Sequence, residues 1–241
     1  MKWFESWFDT VYYHTLYQHR NEAEAAAFVD TLLQRLALRS GMRVADIACG
    51  KGRHSAHLAS HGLSVWGMDL SGNSILAAQS LGVKGVDFQV HDMREQFPQA
   101  NFQAIFNLFT SFGYFDDPAE DERVLENMAA ACVDGGYVVQ DYLNAELVLA
   151  DLPQEAVLER GGYRFKTKKH LSGSHIVKYI EVLDGADVHE FQERVRIFSK
   201  ATLVGLHEKA GLKLMGVYGD YGLGDFDPKT SPRIVVISQK G

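Results

Sequence analysis

The sequence predicts an α/β protein, a mostly parallel sheet with helices on both faces and an antiparallel β insertion late in the chain. Three observations predict it. Apolar runs of strand length alternate with helical periodicity from residue 41 to about residue 145. The run Val44-Ala45-Asp46-Ile47-Ala48-Cys49-Gly50-Lys51-Gly52 ends a strand in a carboxylate and enters a helix through small residues. Residues 155–198 then abandon this rhythm for alternation with period two.

The elements follow in order. The first forty residues read as helical, and Phe28, Leu32, Leu33 and Leu36 line one helix face that ends before Gly41. Strands are predicted near 43–48, 64–69, 86–91, 103–109 and 136–142, and helices near 52–61, 72–80, 119–132 and 200–210. Gly62, Gly135 with Gly136, and Gly211 sit where those helices should stop. In the insertion, Tyr163 to Lys168 and Ile176 to Val182 alternate, Gly173 and Gly185 supply turns, and Phe191 to Phe198 offers a third strand. Leu212 to Tyr218 and Arg233 to Ser238 read as a closing hairpin. The division is therefore a helical lid over 1–40, a core over 41–154 and 199–241, and an insertion over 155–198.

The turn after the first strand has the character of a nucleotide-binding turn. Ala48, Gly50 and Gly52 keep side chains out of it, so a ligand can approach the backbone. The helix beyond aims its free N–H groups at that ligand. The dinucleotide fingerprint is incomplete in either register, because Ser55 or Arg53 falls where its last small residue belongs. Two further predicted strands also end in acids, Asp69 and Asp92. Each acid alone reads equally as a helix cap, but together they mark the carboxyl edge where open parallel sheets bind ligands.

Asp46, Ala48, Gly50 and Gly52 in this spacing resemble motif I of the class I S-adenosylmethionine-dependent methyltransferases, with Ala48 where the family has its first glycine. The resemblance implies a Rossmann-like seven-stranded methyltransferase fold whose last strand is antiparallel, and S-adenosylmethionine as cofactor. It implies that Asp69, with Leu70 beside it, receives the ribose hydroxyls, and that Asp92 accepts from the adenine amino group with Met93 against the ring. Asn107 and Phe109, after the fourth strand, are expected at the cofactor. Leu108-Phe109 replaces the paired prolines of enzymes that methylate adenine or protein amides, so that subclass is rejected. Phe109-Thr110-Ser111-Phe112-Gly113-Tyr114 looks instead like the corresponding segment of small-molecule N-methyltransferases acting on glycine or nucleotide-linked amino sugars. Their entry segment is similar to Trp7 to Arg20, which implies that Tyr12, Tyr13, His14, Tyr17 and Arg20 cap the site. Tyr114 is the residue expected to orient the acceptor, with Tyr142 and Asn144 next. No side chain stands out as a general base.

The reading is thus a methyltransferase acting on a small-molecule acceptor, an amine. The alternatives are a non-catalytic module for adenosylmethionine or adenosylhomocysteine and, opposed by Arg53 and Ser55, a nicotinamide dehydrogenase. Composition agrees with a globular enzyme: 241 residues, 46% hydrophobic and 23% charged. The net charge of -7 argues against nucleic acid as partner. Lys166, Lys168, Lys169 and His170 form a local basic run, read as a solvated strand face. Cys49 and Cys132 suggest no disulfide framework, and Glu5 and Asp9 interrupt the aromatic amino terminus, so no signal peptide, no membrane partner and a cytoplasmic location are expected. His54, His57 and His61 share a helix face expected to point to solvent, and no carboxylate or cysteine joins them at ligand spacing, so no metal is expected. The insertion either roofs the pocket or pairs with a second subunit as a homodimer.

Overall fold

The computed structural model describes residues 2–18 and 22–241. Three helices come first: α1 (Trp3–Trp7), α2 (Val11–Leu16) and α3 (Glu22–Arg35). The core then alternates through β1 (Arg43–Ile47), α4 (Arg53–Ser60), β2 (Ser64–Asp69), α5 (Gly72–Ser80), β3 (Val86–Val90), β4 (Phe102–Asn107), α6 (Pro118–Ala131) and β5 (Cys132–Leu143). A short α7 (Ala145–Ala150) leads into β6 (Gln154–Arg160), β7 (Tyr163–Ser172), β8 (His175–Asp184) and β9 (Asp187–Arg196). The chain closes with α8 (Lys200–Lys209), β10 (Leu212–Tyr218) and β11 (Arg233–Lys240).

Seven strands form one sheet in the order β10-β11-β5-β4-β1-β2-β3. Only β11 is reversed, pairing antiparallel with both β10 and β5, while the other pairs are parallel. The seven-stranded Rossmann-like expectation therefore holds, reversed last strand included. Strand order switches at β1, flanked by β4 and β2, and that switch opens a crevice at the carboxyl edge. The central strands are buried on both faces and read as continuous apolar runs. On one face Val124, Leu125 and Met128 of α6 and Leu203 of α8 pack with Ile47, Ile105 and Val138. On the other, Phe28 and Leu32 of α3 and Leu58 of α4 pack with Val44, Phe106 and Val139.

The insertion is a second sheet of four antiparallel strands, β6 to β9, where three were predicted. β6 escaped the sequence reading because its alternation is weak, with apolar residues only at Ala156, Val157 and Leu158. It is joined to β7 through Gly161 and Gly162, both at positive φ. Phe165, Ile180 and Val182 of this sheet bury Trp7 and Leu16, so α1 and α2 lie between the two sheets. Two predicted boundaries also shift. β4 ends at Asn107 rather than 109, because Phe109 and Thr110 take φ of 65° and 62° and turn the chain out of the sheet. β5 begins at Cys132, and Gly135 (φ 76°) serves an irregularity inside it rather than a helix stop.

Gly52 is the residue that seats the turn on the sheet. It stands at the N-cap of α4 with φ 80°. A Cβ there would lie 2.5 Å from Cζ of Phe88 on β3. Gly52→Ala is therefore expected to lower folding stability by about 2–4 kcal/mol, combining left-handed strain with overpacking. Chemical denaturation of the purified variant measures it, and an unchanged midpoint would show that the Phe88 ring yields freely.

Candidate active site

The turn between β1 and α4 is built on left-handed backbone. Ala48 takes φ 58° and Gly50 φ 56°. A non-glycine at the first of these costs on the order of 1–2 kcal/mol. Space in front of Gly50 is open, with nothing within 4 Å of where its Cβ would be. The turn is held from two sides. Asp46, buried beneath it, accepts the Ser55 hydroxyl at 2.6 Å and so ties β1 to α4. Asp69, at the end of β2, accepts the Gly50 N–H at 2.8 Å on one oxygen and the Ser71 N–H at 2.9 Å on the other. Burial pushes the Asp46 carboxyl up to about 6, and burial likewise raises Asp69.

Beyond this turn lies a cavity of about 310 Å³ lined by Ala48, Gly50, Asp69, Leu70, Asp92 and Met93. The amino-terminal segment closes it with Phe8, Asp9 and Tyr13. Asp9 is the latch: its carboxylate accepts the Ser71 hydroxyl at 2.5 Å, the Asn73 N–H at 3.0 Å and the Asn73 amide at 2.8 Å. Burial raises Asp92, but hydrogen bonds from Arg94 outweigh it and hold the carboxyl below its ordinary value. Arg94 is itself braced by Glu120 at 2.6 Å. His91 also lines the cavity, and its buried Nε2 has no hydrogen-bond partner among the described residues. An apolar slot with a bare glycine backbone, carboxylates at its rim and an orphaned imidazole nitrogen suits an adenosine-bearing ligand.

A second cavity, of about 300 Å³, shares Tyr13, Ser111 and Tyr114 with the first and lies beneath the insertion sheet. Its roof is a polar network. Glu193 of β9 accepts the Trp7 indole N–H at 2.8 Å and the Tyr17 hydroxyl at 2.7 Å, and Lys178 of β8 donates to that hydroxyl at 2.9 Å. Its floor is the loop after β4. Asp141 accepts the Phe109 N–H at 2.7 Å and Arg233 Nε at 2.7 Å, and Arg233 also donates to the Thr110 hydroxyl at 2.8 Å. That buried pair holds Phe109 and Thr110 in their left-handed conformations. The Tyr114 hydroxyl donates to the Thr110 carbonyl at 2.5 Å, which fixes the ring at the junction of the two cavities.

The expected site residues divide by position. Tyr13, Ala48, Gly50, Asp69, Leu70, Asp92 and Met93 line the first cavity, and Tyr114 faces both. Asp46 and Phe109 border a wider adjoining cleft, which His14 and Tyr17 also line. Five expected residues line none of these spaces and are corrected. Gly52 packs on Phe88 instead of facing a ligand. Asn107 is fully buried, and its amide donates to the Ile47 and Ser111 carbonyls, so it braces the loop rather than lining the cavity. Tyr142 is fully buried, donates to the Arg196 carbonyl at 2.7 Å and packs against Phe198. Asn144 caps α7 and donates to the Pro228 and Ser231 carbonyls. Tyr12 points to Asp184 of the insertion, and Arg20 lies outside the described residues.

Sequence reasoning missed Asp9, Lys178, Glu193 and Arg233, which reach the cavities from distant elements without a local motif, and His91, which stands directly before Asp92. It also misplaced one lysine. Lys166 and Lys168 do sit on a solvated face, paired with Glu181 and Glu155, but Lys169 lines the second cavity. The α4 histidines need correction too: His54 is buried, and His57 and His61 meet a carboxylate, Asp30 of α3.

A family profile described as a methyltransferase domain matches residues 17–216. A curated relative, dTDP-3-amino-3,6-dideoxy-alpha-D-glucopyranose N,N-dimethyltransferase from Streptomyces fradiae, is 29% identical over 206 residues, covering 81% of this chain and 78% of its own. Among solved structures, the CcbJ methyltransferase from Streptomyces caelestis superposes with a TM-score of 0.82 at 19% identity, over 98% of this chain and 99% of that one. The S-adenosylmethionine-bound amino pentose methyltransferase CalS10 from Micromonospora echinaspora superposes with a TM-score of 0.72 at 20% identity, over 96% and 97%. The chain belongs to the methyltransferase domain family and is an S-adenosylmethionine-dependent methyltransferase.

Two measurements test the cofactor side. Asp69→Ala removes the acceptor of the Gly50 N–H and the rim carboxylate together, and is expected to weaken adenosylmethionine binding by roughly tenfold or more. Calorimetry reads it, and native affinity in a folded variant would remove Asp69 from the site. Protonation gives the second. Burial pushes the Asp46 carboxyl up to about 6, and a cationic ligand on the turn would favour its ionised form, so binding is expected to release a proton at acid pH. Affinity is expected to be level above pH 7 and to fall below pH 6 by up to about tenfold per unit. Asp46→Asn should flatten that slope, and affinity constant from pH 5 to 7.5 in the unaltered protein would contradict it.

Proposed function

We propose that this enzyme methylates the amine of a small-molecule acceptor held in the cavity beneath the insertion sheet. The observation that carries the reading is the wall of Phe8, Tyr13, Ser111 and Tyr114, which the two cavities share. S-adenosylmethionine supplies a methyl group already activated by its sulfonium. The protein's part is to bind, orient and exclude water, which is worth several kcal/mol in a displacement of this kind. Phe8 and Trp3 pack against the Tyr114 ring with centroids 5.2 Å and 5.6 Å away, which fixes the junction's wall. Aromatic faces there attract a cationic centre by on the order of 1 kcal/mol. In the roof the Glu193 carboxylate, which also holds Trp7, Tyr17 and Lys178, suits an ammonium group, and Lys169 suits an acidic substituent.

The Streptomyces relative, which acts on an amino sugar, supports an amine acceptor. A cavity of about 300 Å³ under a two-layer roof favours a small molecule over nucleic acid. In this reading residues 1–40 cap the core of 41–154 and 199–241, with α1 and α2 as the lid and α3 packed on the sheet, and the insertion of 155–198 acts as the roof. A homodimer would use the outer face of that sheet, where Val157 and Tyr179 are exposed. No helix among the described residues is long and apolar enough to cross a membrane, and both cysteines are free and buried. The two free thiols support reading the enzyme as cytoplasmic.

Release of adenosylhomocysteine from a panel of amines, amino sugars and small acids identifies the acceptor. With a working acceptor, Tyr114→Phe is expected to lower kcat and kcat/KM together by about tenfold while cofactor affinity stays within about twofold. Lost cofactor affinity with normal turnover would instead assign Tyr114 to the cofactor cavity. If neither changes, the ring serves packing alone.

A further inference from the structure

We propose that Asp30, His57 and His61 form a binding site for a divalent transition metal of the zinc and nickel type, which fastens α3 to α4. It lies apart from both cavities' reacting ends and does not depend on the acceptor's identity. His57 and His61 are four residues apart, so one turn of α4 presents both rings on the same side. Asp30 reaches them from α3, packed alongside.

The three donor atoms converge on one point. Asp30 Oδ1 lies 2.7 Å from His57 Nε2 and 2.9 Å from His61 Nε2, and the two nitrogens are 3.4 Å apart. Zinc bonds of about 2.0–2.1 Å to imidazole give a tetrahedral edge of about 3.3–3.4 Å, the observed spacing of the nitrogens. The carboxylate oxygen need only withdraw by about half an ångström to complete a face, and the side chain is half exposed, free to rotate. In the unliganded cluster one Asp30 oxygen accepts from both Nε2–H groups, and a cation entering at the same point would displace those two protons and take three lone pairs at once.

Ligand chemistry narrows the ion. Two imidazoles and one carboxylate suit zinc, nickel, copper or cobalt, and disfavour magnesium and calcium, which prefer all-oxygen sets. Partial exposure of all three side chains leaves the remaining positions to water. The place matters to the enzyme because α4 carries the cofactor turn at its start, while α3 connects the lid segment to the core. A cation between them would stiffen the seat of the turn.

The test uses the full chain stripped with a chelator, with zinc as the calorimetric probe and cobalt as the spectroscopic one. One zinc per chain is expected to bind, with cobalt showing visible bands of nitrogen and oxygen coordination. At about a hundredfold excess of zinc over Kd the unfolding midpoint is expected to rise by roughly 5–10 °C. His61→Ala and Asp30→Asn should each weaken zinc by at least about tenfold and cut that rise to about half or less at the same zinc concentration, while His189→Ala, on the insertion, leaves both unchanged. Zinc that binds no more tightly than to a denatured chain would overturn the proposal. So would binding that survives intact in both variants, since the metal would then sit elsewhere.

Discussion

One carboxylate joins the parts of the cofactor site. Asp69 receives the N–H of Gly50 on one oxygen and that of Ser71 on the other, so the turn after β1 and the entry to α5 share one anchor. Asp9 then binds Ser71 and Asn73 at the same helix entry, which brings the amino-terminal lid onto the sheet edge. Two acids this close to each other, with Asp46 below, would repel in a dry site. Backbone N–H groups and the Ser55 hydroxyl are what offset that repulsion.

The acceptor side rests on a different pair. Asp141 and Arg233 come from β5 and β11, strands that meet only because the last strand is reversed. Their bond, with Asp141 fully buried, holds Phe109 and Thr110 in conformations the isolated loop would avoid. A buried ion pair is weak evidence for stability, because desolvation cancels much of its attraction. Its value here is geometric. It sets the height of the loop floor and with it the position of the Tyr114 ring.

The roof follows the same logic with softer materials. Glu193 collects donors from Trp7 and Tyr17, and Lys178 completes the cluster, so the lid and the insertion are cross-linked by hydrogen bonds over a mostly aromatic wall. Such a wall closes the second cavity without rigid backbone contacts, and a few charged groups protrude through it into that space.

Local chemistry was enough to reveal the parallel core, the glycine turn, the acids at the ends of β1 and β2 and at Asp92, and the reversed hairpin. Strand alternation, small residues and terminal carboxylates are short-range requirements written within a few residues of one another. Tertiary structure alone decided the rest. Tyr142 and Asn107 stand in segments that approach the site, yet their side chains turn into the core, because a strand's alternation is read from both faces only once its neighbours are in place. Glu193, Lys178 and Asp9 belong to the site through contacts of long sequence separation that no motif announces. The same holds for Asp30, which makes a three-ligand cluster out of two helical histidines only because α3 packs on α4. What the chain encodes locally is where its backbone can receive a nucleotide, and what only packing encodes is which side chains surround the molecule placed there.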